Sequence, residues 1–186
     1  MHKILLTGSS GFIGSNILNN FSKKNKFYLI LRKKPNKKIL KNKNIKIIKI
    51  KNYESLNDKL KKIKVDIVIH CATHYVKSHN FSDIKKFCYS NILLGNVILE
   101  NLDNMKVKKF INFSTVWEDS DGIKDNFENL YAAYKKSFSN IFNFYKKNQK
   151  KTDFYELIIS DTFGKNDFRN KILNNIRENY QKKKNN

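Results

Sequence analysis

Residues 7–14 read TGSSGFIG, and the stretch KILLTGSSGFIGSNILNNF over residues 3–21 decides the fold. Three of the chain's six glycines, Gly8, Gly11 and Gly14, fall here at steps of three. Before them, Ile4, Leu5 and Leu6 form a short apolar run that predicts a strand over Lys3–Thr7. After them, Ile13, Ile17, Leu18 and Phe21 recur at helical steps. A strand therefore feeds a glycine turn that opens a helix. Gly8 permits the tight turn, Gly11 lets backbone approach a pyrophosphate, and Gly14 lets helix and strand pack closely. The helix N-terminus offers free N–H groups and a partial positive charge to the phosphates. Ser10, Phe12 and Ile13, between the glycines, belong to the same expected dinucleotide contact.

The pattern repeats outward. Further strands are expected over residues 27–32, 45–50, 65–71, 109–114 and 154–160, each four to seven residues of β-branched or aromatic core. Between them, Phe81, Ile84, Cys88, Ile92, Gly95, Leu99 and Leu102 mark one long helix, and Tyr131, Tyr134, Phe138, Ile141 and Tyr145 another. Strands alternating with helices imply a Rossmann-like, doubly wound α/β fold. Its parallel sheet has order 3-2-1-4-5-6, with helices on both faces and a site at the strand C-termini. Residues 1–180 read as one such domain and 181–186, QKKKNN, as a polar tail.

A net charge of +22 first suggests a nucleic-acid binder. The breakdown argues otherwise: 35 of the 38 basic residues are Lys, only Arg32, Arg169 and Arg177 carry the guanidinium fork, and 27 residues are Asn. The lysines run the whole length, as a solvated surface does, so no nucleic acid is expected as partner. No apolar run approaches the ~18 residues that span a bilayer, so no membrane is expected either. Cys71 and Cys88 do not make a disulfide framework. His70 and Cys71 are adjacent on a strand and point to opposite faces, and no CxxC or HExxH spacing occurs, so no metal site is expected. The expectation is a reduced, cytoplasmic protein.

An acidic residue about 20 positions after the glycine turn would bond the adenosine ribose and select NAD. Here no Asp or Glu precedes Glu54, and the second strand runs into Arg32 and Lys33. Arg32 could instead hold a 2′-phosphate, which favours NADP, with NAD possible.

The TGxxGxxG turn at the N-terminus resembles the extended branch of the short-chain dehydrogenase/reductase superfamily, the NAD-dependent epimerases and dehydratases. DIVIHCAT over residues 66–73 looks like that branch's fourth strand, with Ala72 beside the cofactor. Asn91 in SNILLGN matches its Asn in the following helix. FINFSTVW over 110–117 resembles the strand that delivers a catalytic hydroxyl, and NLYAAYK over 129–135 the Tyr-x-x-x-Lys helix. DTFGKNDFRNK over 161–171 narrows the likeness to the nucleotide-sugar 4-ketoreductases around CDP-abequose synthase.

That resemblance implies a reductase, epimerase or dehydratase acting on a nucleotide-linked keto sugar destined for surface polysaccharide. Tyr131 moves the proton, Thr115 or, second, Ser114 orients the substrate oxygen, and Lys135 holds the nicotinamide ribose. Tyr131 and Lys135 are i and i+4, so the ammonium is expected to lower the phenol's pKa. The pattern alone is cheap in a Lys-rich chain, since it recurs at Tyr180/Lys184, and its weight comes from its place after the fifth strand. The family also implies a homodimer through the two long helices, with Phe142 and Phe144 adding apolar surface. It implies a C-terminal substrate lobe as well, which this chain is expected to lack.

Overall fold

The computed structural model describes residues 1–33, 35, 39, 41–164, 167, 169, 175, 176, 179 and 180. The polar tail 181–186, and Lys165, Asn166 and Lys171 of the 161–171 motif, lie outside these described residues. Six strands form one parallel sheet: β1 Lys3–Thr7, β2 Lys26–Leu31, β3 Ile45–Lys49, β4 Ile67–His70, β5 Lys109–Thr115 and β6 Asp153–Ile159. Their order is β3-β2-β1-β4-β5-β6, as the sequence predicts. The order reverses between β1 and β4, where an open α/β sheet leaves a crevice at the strand C-termini. The register places Thr7 beside His70 and His70 beside Asn112, so three buried polar residues line up beneath that crevice.

Helices cover both faces. On one face α2 (Tyr53–Lys61), α4 (Leu94–Glu100) and α6 (Leu130–Asn148) bring Leu56, Leu60, Ile98, Leu99, Phe138 and Phe142 onto Leu5, Val68, Phe110 and Phe154. On the other, α1 (Phe12–Phe21) packs Leu18 onto Ile4, Leu6, Phe27 and Leu29. The continuous apolar run of β1 follows from being covered on both sides. The edge strand β3 instead reads IKIIK, with only Ile48 buried and both lysines exposed, which keeps an open edge soluble.

Two features depart from the sequence reading. Helix α2 went unrecognised because its apolar stripe is short. Its signal is Asn52, whose side chain accepts from the Ser55 amide at 2.8 Å and caps the first turn. The long helix expected over 81–102 is broken. It runs as α3 (Phe81–Phe87), a π-helical turn Cys88–Leu93, then α4, and ends in α5 (Leu102–Met105) with Lys106 at a left-handed φ of 57°. The wide turn carries Asn91, which bonds a neighbouring loop instead of continuing the regular face.

Candidate active site

The crevice at the switch point is a cleft of about 1560 Å³, beyond the ~300–1,000 Å³ of an ordinary small-molecule pocket. Its floor is the glycine turn. Gly8 has φ 68°, and a Cβ there would lie 2.6 Å from the Ala72 nitrogen and the Cys71 carbonyl. A Cβ on Gly14 would strike the Gly8 carbonyl. Both positions therefore need glycine, one for conformation and contact, the other for contact alone. Gly11 caps α1 with its backbone, and its N–H bonds the Gly8 carbonyl at 2.9 Å. The residues expected at this end, Gly8, Ser10, Gly11, Phe12, Ile13, Gly14, Arg32 and Ala72, all line the cleft. Arg32 is exposed at its rim, with Lys33 beside it.

Thr7 ties the turn to the next strand. Its hydroxyl accepts from the Ala72 amide at 3.0 Å and meets His70 Nδ1 at 2.9 Å. Burial, with the Lys135 ammonium nearby, pulls His70 down to about 3, so the ring is neutral.

At the other end of the cleft stand Thr115 and Tyr131. Thr115 closes β5 and accepts from the Trp117 amide at 3.3 Å. Tyr131 lies in the first turn of α6, whose N-terminus is capped by Asn129 accepting from the Ala132 amide at 3.1 Å. Tyr75 and Trp117 stand edge-on to Tyr131 at 5.1 and 6.2 Å and meet each other at 5.6 Å. The three rings make an aromatic wall.

The expected effect of Lys135 on Tyr131 is not what the structure shows. Tyr131 is pushed up to about 12, first by burial and then by the charges of Glu118 and Tyr75, while a hydrogen bond with the Thr73 side chain opposes them. Lys135 is not among these influences; it is 5% exposed and does not line the cleft. Burial brings its own pKa down to about 8, against the pull of Glu118, Glu156 and Cys71. Sharing a helix face with Tyr131 is therefore outweighed by the burial of the phenol.

Ser114 and Asn91 also turn away from the cleft. Neighbours on a strand point to opposite faces, so Thr115 lines the cleft and Ser114 faces inward. There its hydroxyl bonds Glu118 and lies 3.4 Å from Ser139, whose hydroxyl donates to Glu156 at 2.7 Å. Burial raises the Glu118 pKa. Asn91 spends both ends of its amide on one residue: Oδ1 accepts from the His74 N–H at 2.6 Å and Nδ2 donates to the His74 carbonyl at 3.1 Å.

Sequence reasoning missed Thr73 and Tyr75, which sit in a polar loop with no periodicity to flag them, and it missed the role of Thr7. Arg169 of the 161–171 motif reaches back to the cleft. It stacks over the Phe12 ring at 4.3 Å and donates to Asp167 and to the Thr162 carbonyl. Among the described residues no three His, Cys, Asp or Glu side chains gather as a metal site, and no helix is long and apolar enough to cross a membrane.

Comparison with known proteins gives the same frame. The chain is 37% identical over 141 residues to dTDP-D-glucose 4,6-dehydratase of Dictyostelium discoideum, covering 69% of this chain and 32% of that one. It is 29% identical over 182 residues to CDP-abequose synthase of Yersinia pseudotuberculosis, covering 94% of this chain and 60% of that one. In fold it resembles UDP-glucuronic acid 4-epimerase from Bacillus cereus in complex with NAD, with TM-score 0.71, 23% identity and coverage of 87% and 57%. It also resembles the Bordetella bronchiseptica enzyme WbmH in complex with NAD+, with TM-score 0.75, 19% identity and coverage of 98% and 63%. The chain thus spans less than two thirds of the length of each. The family model described as NAD dependent epimerase/dehydratase matches residues 4–186, and the chain belongs to that family.

Proposed function

We propose that this chain is the dinucleotide-binding and proton-transferring part of a nucleotide-sugar oxidoreductase that works with NADP on a nucleotide-linked keto sugar. The observation that carries the reading is a single cleft with the glycine turn at one end and Thr115 and Tyr131 at the other. The cradle fits a dinucleotide: Gly8 and Gly14 leave no room for a Cβ, and α1 opens directly on the turn. Gly8, Ser10, Gly11, Phe12, Ile13 and Gly14 would hold the pyrophosphate, Ala72 would flank it, and Arg32 with Lys33 would take the 2′-phosphate. When bound, the nicotinamide supplies hydride chemistry.

The chain's own groups do the rest. Thr115 presents a hydroxyl for the substrate oxygen. Tyr131, held neutral by its burial, is a proton donor to an oxygen that gains charge. Lys135, buried and off the cleft lining, would meet a ribose only by reaching into the cleft. Asn91 supports the site through the His74 backbone, not by lining the cleft. The reading includes a homodimer through the helices of the α6 face. There Phe144, 62% exposed, offers apolar surface, whereas Phe142, 1% exposed, belongs to the core.

A second reading is a dinucleotide-binding protein without turnover, favoured by Lys135 lying off the cleft. Incubation with NADPH and a panel of CDP-, dTDP-, GDP- and UDP-linked 4-keto-6-deoxy sugars separates the two. Loss of reduced-nicotinamide absorbance, reduced about 100-fold or more by Tyr131→Phe, supports the enzyme. Dinucleotide binding without turnover on any sugar supports the second reading, and no binding contradicts both.

A further inference from the structure

Between β4 and α3, residues 71–80 form a strap along the cleft wall. Its near end is tied by the Ala72 amide to Thr7 at 3.0 Å. Its middle is clamped at His74, whose backbone N–H and carbonyl both bond Asn91. The His74 side chain is pinned as well. Nε2 lies 3.0 Å from Asp83 Oδ1, and the ring stands edge-on to Phe87 at 5.0 Å. Asp83 is itself fixed: it is 4% exposed, caps α3 by accepting from the Asn80 amide at 3.2 Å, and accepts from Lys86 at 2.9 Å. Those contacts hold Asp83 ionised, with the Lys86 hydrogen bond first in bringing it down to about 2, so His74 Nε2–H is the donor. The residues on either side of His74 are Thr73, which lines the cleft, and Tyr75, whose ring stands edge-on to Tyr131 at 5.1 Å.

We propose that His74 is a positioning residue for Tyr131: pinned by Asp83 and Asn91, it fixes the strap that presents the Tyr75 ring to the phenol. The inference rests on Tyr131 being the proton donor of the proposed reaction. Nothing in the glycine turn or the Tyr131 helix performs this placement. It comes from a loop whose three anchors sit on β1, the π-helical turn and α3. The Tyr75 ring packs edge-on to Tyr131, keeps water from the phenol and disfavours the phenolate.

Tetranitromethane nitrates phenolates, and peptide mass spectrometry reads Tyr131 separately from the other eight tyrosines at a neutral pH where the protein is folded. His74→Ala should free the strap, wet Tyr131 and speed its nitration about tenfold, the equivalent of one pKa unit. Acrylamide quenching of Trp117, the only tryptophan, should rise with it, because Tyr75 shields that ring. His74→Gln keeps an N–H for Asp83 and should restore the unmutated rate. Should His74→Ala fail to fold, Asn91→Asp, which sets a carboxylate oxygen against the His74 carbonyl in place of the amide donor, should still speed nitration of Tyr131 above the other tyrosines. A folded His74→Ala protein with unchanged Tyr131 nitration overturns the proposal, as does a rise shared equally by all nine tyrosines. None of these measurements needs dinucleotide, so they stand apart from any failure to bind it.

Discussion

Thr7 Oγ1 lies 2.9 Å from His70 Nδ1 and accepts the Ala72 N–H at 3.0 Å, so one hydroxyl joins the strand before the glycine turn to the loop beyond β4. These are the two strands between which the sheet order reverses. The bond therefore holds shut the base of the cleft, and it lets the Cys71–Ala72 backbone press against Gly8.

Thr7→Val keeps the shape and removes that hydroxyl. It leaves a part-buried amide and a buried ring nitrogen unpaired, at roughly 1 kcal/mol for the first and roughly 1–3 kcal/mol for the second. Urea unfolding should show a loss of about 2–4 kcal/mol with unchanged slope, and Thr7→Ser should recover most of it. A loss under about 0.5 kcal/mol would mean that the hydroxyl is not structural.

Lys135 is buried at a cost. Its pKa falls to about 8 in the folded protein against ~10.4 in an unfolded chain, chiefly through burial. Below pH 8 both states carry the charge and the folded state bears the full penalty. From about pH 8 to 10.4 the unfolded chain binds more protons, so stability rises with pH. Lys135→Met should therefore be more stable than the unmutated chain at pH 7, by up to about 3 kcal/mol, and should lose that alkaline rise. Thermal melts from pH 7 to 10 check both. A destabilised variant would mean that the carboxylates of Glu118 and Glu156 outweigh the burial.

Arg32 should discriminate between cofactors. A charge-assisted contact to the 2′-phosphate is worth about 1.5 kcal/mol or more, so NADPH should bind about tenfold more tightly than NADH. Arg32→Asp should reverse the order. Equal affinities measured by calorimetry would remove Arg32 from the site and leave the glycine turn in it.

The fold was legible because its signals are local and redundant. The strand-glycine-helix unit around residues 7–14 carries three constraints at once, and the six apolar runs are short and sharply bounded. The phosphate end of the cleft was legible for the same reason, since the turn is contiguous in sequence. At the far end Thr115 and Tyr131 were legible as the end of β5 and the start of α6, whereas Thr73 and Tyr75, in the loop after β4, were not. Thr115 against Ser114 was decided by strand alternation, which needs the true end of β5. The raised pKa of Tyr131 comes from burial with Glu118 and Tyr75, and the lowered pKa of Lys135 from burial against Glu118 and Glu156, all outside the helix that carries both residues. Periodicity places Asn91 on a helix, but only the π-helical turn explains why its side chain leaves for His74.

Trp117 makes the most direct test of the central claim, that this cleft holds a nicotinamide dinucleotide beside Tyr131. It is the only tryptophan, it lines the cleft, and it stands 6.2 Å from the Tyr131 ring. Titrating NADPH into the purified chain should quench Trp117 and light the reduced nicotinamide by energy transfer, saturably and below about 1 mM, and excess NADP should reverse it. A folded chain that shows no saturable transfer with either NADPH or NADH would contradict the account.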